Sequence, residues 1–160
     1  MLQKIGDFIR QYKWLILICV FGLLARVAYV VLFADFFAKA YLGRDTLFYP
    51  GGDFGTSLNS FRNLIYHGTY SANLNDALGA FNRMPGYSFF VGLISLVFSE
   101  PYNMYVVSGL QILIDCIAIA LVYAILYKRF QCSEKVSLLG AIIYAAYPIA
   151  IIWTPVLFSD

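Results

Sequence analysis

The chain has 160 residues, of which 61% are hydrophobic and 12% are charged, and a charged fraction of about 25% is usual in soluble domains. Its net charge of +2 comes without a dense basic patch, so nothing indicates a nucleic-acid partner. The cysteines Cys19, Cys116 and Cys132 have neither a disulfide framework's pattern nor zinc-ligand spacing. Composition therefore predicts an all-α integral membrane protein.

The first apolar run extends from residue 14 to 33 and is interrupted by one charge, Arg26. A helix needs about 20 apolar residues to cross a membrane, so this run predicts the first transmembrane helix. A signal peptide is the alternative, because basic residues precede the run and Ala38-Lys39-Ala40 resembles a cleavage site. The run exceeds the roughly 7–15 apolar residues of a signal peptide, which favours a span.

Two later runs, at residues 106–127 and 136–153, are also long enough to span. The run at 86–99 is shorter and ends at Glu100-Pro101, which suits an interfacial or re-entrant helix. Three transmembrane helices are therefore predicted in a single membrane region, 1–160.

Basic residues predict the orientation of these helices. Six of the eleven Lys and Arg residues lie in two short segments, namely Lys4, Arg10, Lys13, Lys128, Arg129 and Lys135. Cytoplasmic segments are enriched in Lys and Arg. We therefore expect a multi-pass plasma (inner) membrane protein with a cytoplasmic amino terminus, and with residues 35–105 and 154–160 on the outer face.

The predicted outer loop contains an amphipathic segment at 54–66, in which apolar residues recur at helical spacing: Phe54, Leu58, Phe61, Leu64 and Ile65. This pattern predicts an interfacial helix with its apolar stripe toward lipid or toward the spanning helices. Gly68 is expected to end it.

Two charges lie within predicted spans. At 1.5 Å per residue, Arg26 lies about 12 Å and Asp115 about 13–14 Å below the outer surface. Buried charges in lipid are usually paired or functional, so the matched depths predict a structural ion pair. Direct contact with a substrate is the alternative.

Several motifs follow one another in a characteristic order. A first span with an arginine precedes Asp53, an amphipathic helix ending in His67-Gly68-Thr69-Tyr70, the segment Arg83-Met84-Pro85-Gly86-Tyr87, and residues 154–160 ending in Asp160. This order resembles the amino-terminal part of GT-C fold, polyprenol-phosphate-dependent glycosyltransferases. The likeness is to family 39 relatives, the protein mannosyltransferases and the lipid A aminoarabinose transferase. Family members continue with many more spans, so the resemblance implies an amino-terminal fragment.

The resemblance implies that Asp53 is the catalytic base, which takes the proton of an acceptor hydroxyl. The alternative is that Asp53 caps the helix at 54–66. Asp160 matches a second acidic residue, which would orient the acceptor or join Asp53 in holding a divalent cation. Two carboxylates are too few to define a metal site, and an ordinary solvated residue is the alternative for Asp160.

Arg83 and Tyr87 are implied to bind substrate. A guanidinium can grip a phosphate through paired hydrogen bonds, although Arg83 would equally reach a lipid headgroup. Ser88 stands where the family often has a proline, so the chain departs from the pattern there.

The resemblance implies an enzyme that moves a sugar from a polyprenyl-phosphate donor to an acceptor hydroxyl on a protein, a lipid or a cell-envelope glycan, at the outer membrane face. Its other partners would be membrane lipids. The alternative is a small non-enzymatic membrane protein, such as an accessory or flippase-like subunit, in which Asp53 is only a cap.

Overall fold

The computed structural model describes residues 2–42, 52–75 and 85–154, with side chains at 11–33, 36, 39, 54–75 and 85–154. All secondary structure in these ranges is helical, as predicted. The helices are α1 (Leu2–Leu42), α2 (Gly52–His67), α3 (Pro85–Val97), α4 (Tyr102–Ala124), α5 (Glu134–Ala145) and α6 (Pro148–Trp153). A π-helical turn, Ile125–Arg129, extends α4.

Two helical stretches, Gln11–Phe33 and Tyr102–Arg129, are long and apolar enough to cross a membrane. Both are longer than the predicted spans at 14–33 and 106–127. The first belongs to α1, which has non-helical backbone angles at Tyr12 (φ −107°, ψ 18°) and is kinked there.

The predicted third span, 136–153, is two helices rather than one. α5 has 12 residues and α6 has 6, each shorter than the roughly 20 residues needed to cross a membrane. Pro148 causes the break, because proline lacks an N–H donor and its ring clashes with the preceding turn. Tyr147, which precedes it, accordingly adopts extended angles (φ −66°, ψ 114°).

The chain divides into two compact units, the first comprising Met1–Phe36 with Gln111–Pro155 and the second Phe37–Leu110 with Val156–Asp160. The core of unit 1 consists of Ile119, Tyr123, Ala141 and Ala145. Gly22 permits the close approach of α1 to α4, because a Cβ there would lie 2.4 Å from Ile119 Cδ1.

Unit 2 buries the apolar stripe of α2 within the protein. Phe54 and Leu58 form a core with Val91 of α3 and Val107 of α4. The Phe61 ring covers Gly92, where a Cβ would lie 2.1 Å from a ring carbon. Of the predicted stripe, Ile65 remains 57% exposed. The stripe therefore mainly contacts α3 and the start of α4.

The carboxyl end of α2 forms as predicted. Gly68 has φ +69°, a left-handed conformation that glycine adopts without steric penalty. Its N–H donates to the Leu64 carbonyl at 3.0 Å, and the Thr69 N–H donates to the Asn63 carbonyl at 3.4 Å. These bonds satisfy carbonyls that the end of a helix leaves without partners.

Candidate functional site

The structure brings together Arg26 and Asp115, the two residues that the sequence predicts as an ion pair. Arg26 lies in α1 and has 0% of its surface exposed. Its Nε donates to Asp115 Oδ2 on α4, and its Nη2 forms an ion pair with the same oxygen. The charge of a buried guanidinium is thus neutralised by a carboxylate on a second helix.

The same guanidinium reaches the end of α5. Arg26 Nη1 donates to the Gly22 carbonyl at 2.9 Å and to the Ala145 carbonyl at 3.2 Å. Ala145 is the last residue of α5, and the last four carbonyls of a helix lack intrahelical partners. A positive charge there also interacts favourably with the helix dipole. Arg26 therefore stabilises the helix end that Pro148 creates.

Tyr144 completes the network from α5. Its hydroxyl donates to Asp115 Oδ1 at 2.8 Å, so each oxygen of that carboxylate accepts a hydrogen bond. Arg26, Asp115 and Tyr144 come from three helices of unit 1, and we refer to these three residues as the polar triad.

The geometry of the polar triad favours a structural role. A guanidinium with no exposed surface cannot reach a phosphate without local opening, and the side chain of Asp115 is only 15% exposed. A general base must come within hydrogen-bond reach of the proton that it removes, whereas the Asp115 carboxylate is mostly buried and is held by Arg26 and Tyr144. These contacts support the ion-pair interpretation over direct substrate contact.

Asp53 lies in the first turn of α2. The helix begins at Gly52, two residues before the predicted start at residue 54, so the backbone of Asp53 lies inside the helix. Its role as a base or as a cap stays a prediction. An acidic residue in a first turn stabilises a helix by about 0.3–1 kcal/mol through the dipole. The Asp53 side chain lies outside the described residues.

Arg83 and Asp160, predicted to bind substrate, also lie outside the described residues. The predicted metal pair, Asp53 and Asp160, falls outside them for the same reason. Within the described part of the chain, no group of three or more His, Cys, Asp or Glu residues is placed to hold a metal ion.

Tyr87 is placed in the first turn of α3 and is half-buried against the core of unit 2. Its ring lies 6.3 Å from the Phe90 ring, centroid to centroid. The neighbouring Ser88 is fully buried, and its Oγ accepts a hydrogen bond from the Tyr70 hydroxyl at 2.8 Å. Ser88, the departure from the family pattern, thus ties the segment after α2 to the start of α3.

Sequence reasoning missed Tyr144 and the Ala145 carbonyl as members of the buried network. One signal was present, because Pro148 lies inside the third apolar run and predicts a helix end just before it. A helix end within an apolar region needs a donor, and Arg26 was the one guanidinium in a predicted span.

Comparison of the chain with protein-family models, with curated proteins and with solved structures finds no match.

Proposed function

We propose that the chain is a membrane-embedded part of a glycosyltransferase that uses a polyprenyl-phosphate sugar donor, with Asp53 as its base. The position of Asp53 carries the proposal. It opens an amphipathic helix that packs on α3, and α3 begins within the motif that contains Arg83. In sequence, Asp53 is in the first turn of one helix of this pair and Arg83 comes two residues before the start of the other, which suits positioning of a phosphate-linked sugar.

The proposed reaction transfers the sugar in one displacement. The acceptor oxygen attacks the anomeric carbon as Asp53 takes the hydroxyl proton, and the bond from that carbon to the lipid phosphate oxygen breaks. Arg83 stabilises the phosphate as it leaves. Asp53 and Asp160 alone would supply too few ligands to define a metal site, so the proposed displacement uses protein groups only.

Membrane insertion is part of the proposal and has separate support. Two helices are long and apolar enough to span, and the charges of Arg26 and Asp115 are paired, as they would have to be in lipid. The broken helix ending at Ala145 has its last carbonyl bonded by Arg26, which meets the requirement that backbone groups inside a bilayer be satisfied by protein. The basic segments favour a plasma membrane orientation with a cytoplasmic amino terminus.

The test measures sugar transfer by the Asp53→Asn variant. The protein is expressed from the complete reading frame, and its membranes are assayed with a polyprenyl-phosphate sugar as donor. We expect the rate to fall by about 10²–10⁴, the usual contribution of a general base. Expression should change little, because the loss of a first-turn charge costs at most about 1 kcal/mol. Glu100→Gln is the matched control, since Glu100 is half-exposed in unit 2 and, among the described residues, forms an ion pair only with Arg62, at 3.3 Å.

Near-normal transfer by Asp53→Asn, with wild-type donor affinity, would remove Asp53 from the mechanism. The absence of transfer even by the wild-type chain, despite donor binding, would favour the non-enzymatic accessory or flippase-like subunit. Loss of transfer in both Asp53→Asn and Glu100→Gln would indicate a general requirement for charge in unit 2, and would also count against a specific base.

A further inference from the structure

A half-open groove of about 500 Å³ lies between α1 and the end of α4 in unit 1. Because Arg26 pairs with Asp115 and Gly22 faces Ile119, the two helices run antiparallel here. The groove therefore extends from Leu23 and Cys116 at one end to Tyr12 and Lys128 at the other. Its volume falls within the range of about 300–1,000 Å³ that is usual for small-molecule sites.

The two ends of the groove differ in chemistry. Its middle is apolar, with alanine side chains at 120 and 124 leaving the space open. Its far end carries the ammonium of Lys128 and the rings of Tyr12, Tyr123 and Tyr127. Within the described residues, no carboxylate pairs with Lys128, although Glu134 begins the next helix. Tyrosine rings and basic side chains are typical of the headgroup level of a membrane.

The length of the groove matches one leaflet. From Leu23 to Tyr12 the helix rises about 16 Å at 1.5 Å per residue, which is about half of the roughly 30 Å hydrocarbon layer. An acyl chain that starts at the Lys128 end would thus finish near the middle of the bilayer.

We propose that this groove binds one acyl chain of an anionic glycerophospholipid, with the lipid phosphate at Lys128. Charge complementarity selects this occupant, because Lys128 is joined by Arg129 and Lys135 within eight residues, so the groove opens beside a basic segment. The proposal rests on the membrane insertion included in the proposed function and not on sugar transfer. A chain that binds this lipid without transferring sugar would overturn only the transferase.

The experiment uses the whole chain in phosphatidylcholine vesicles, with alkaline extraction to establish insertion first. The probe is phosphatidylglycerol with a photoactivatable group at the end of one acyl chain, and the cross-linked residues are mapped by mass spectrometry. We expect cross-links near Leu23 and Cys116, and poor competition by unlabelled phosphatidylcholine. Lys128→Gln should weaken capture about five-fold, the effect of one basic residue at an anionic surface.

Two matched controls separate the groove from its surroundings. Lys135→Gln removes the same charge from the same basic segment but outside the groove, at the start of α5, and capture should stay close to that of the wild-type chain. Ala120→Phe fills the groove and should largely abolish the mapped cross-links, whereas Leu121→Phe places the same ring on the exposed side of α4 and should not.

Four results would overturn the proposal. Equal capture of a phosphatidylcholine probe would exclude a site for anionic lipid, and equal losses in Lys128→Gln and Lys135→Gln would indicate diffuse attraction to the surface. Stronger competition by a polyprenyl phosphate than by phosphatidylglycerol would assign the groove to a different lipid. Cysteine cross-links at Cys19 between two chains would show that a second copy closes it.

Discussion

The guanidinium of Arg26 on α1 donates to the carboxylate of Asp115 on α4, 89 positions further along the chain. The same guanidinium also bonds the Ala145 carbonyl at the end of α5. One buried charge thus joins three helices of unit 1 and satisfies the helix end before Pro148. Removing either partner leaves the other charge buried without a counter-charge, and this strongly destabilises the folded protein.

We predict that Asp115→Asn alone lowers the free energy of unfolding by about 3–5 kcal/mol. The double variant Arg26→Met with Asp115→Leu should recover much of this loss, because both charges are then absent. Recovery should be incomplete, since the Gly22 and Ala145 carbonyls and the Tyr144 hydroxyl lose partners. Each lost hydrogen bond costs about 0.5–1.5 kcal/mol. Denaturation in detergent micelles of Asp115→Asn, of Arg26→Met and of the double variant measures the coupling.

If the double variant is as damaging as the sum of the losses in Arg26→Met and Asp115→Asn, the two charges are not energetically coupled, whatever their distance.

A second prediction concerns Tyr144, whose hydroxyl donates to Asp115 Oδ1 at 2.8 Å. Tyr144→Phe keeps the ring and removes this bond to a charged acceptor, so stability should fall by about 1.5–3 kcal/mol. Tyr147→Phe makes the same change at a residue that is 46% exposed, and should have little effect. The two variants are compared by their thermal unfolding midpoints. Equal shifts would mean that the hydrogen bond to Asp115 does not contribute to the stability of the protein.

The pairing of Arg26 with Asp115 was predictable because helical rise converts sequence position into depth, and both residues lie at similar depth. The other contacts of Arg26 were not predictable in the same way. They depend on the rotation of α5 about its axis and on the exact residue at which it ends. Pro148 indicated that a helix would end, yet no pattern in the sequence showed which side chain would reach the exposed carbonyl.

In the amphipathic helix α2, too, one feature was predictable from the sequence and another was not. The spacing of Phe54, Leu58 and Phe61 predicts an apolar face, and the structure has one. Periodicity does not say what covers that face, because lipid and protein are both apolar. The cover is α3, whose Gly92 lets the ring of Phe61 approach, and that close approach depends on the pairing of two helices about 30 residues apart.

A third prediction uses two glycines in the helices of unit 2. Gly92→Ala would place a Cβ 2.1 Å from the Phe61 ring, and such overpacking costs about 1–3 kcal/mol. Gly109→Ala meets no atom within 4 Å and should stabilise by about 0.5–1 kcal/mol, because alanine favours a helix. Chemical denaturation distinguishes the two. Phe61→Leu should reduce the penalty of Gly92→Ala, and an unchanged penalty would show that the ring is not the obstacle.

The last prediction tests the proposed orientation with cysteines as reporters. Asn75 is exposed after α2. Its backbone N–H donates to Asn73 Oδ1 at 3.0 Å, and a cysteine at this position keeps that N–H. Asn75→Cys should therefore preserve the fold. In a background with Cys19→Ala and Cys116→Ala, a membrane-impermeant maleimide added to intact cells should label residue 75 and should not label Cys132, because the basic residues near Cys132 favour the cytoplasmic side. Permeabilised cells are the control, since Cys132 is half-buried and must be shown to react once reagent can reach it.

Labelling of Cys132 in intact cells, with residue 75 protected, would reverse the orientation and move Asp53 to the cytoplasmic face. Labelling of both cysteines would mean that the stretch Tyr102–Arg129 does not cross the membrane. Either the reversed labelling or the labelling of both would contradict the proposed sugar transfer at the outer face.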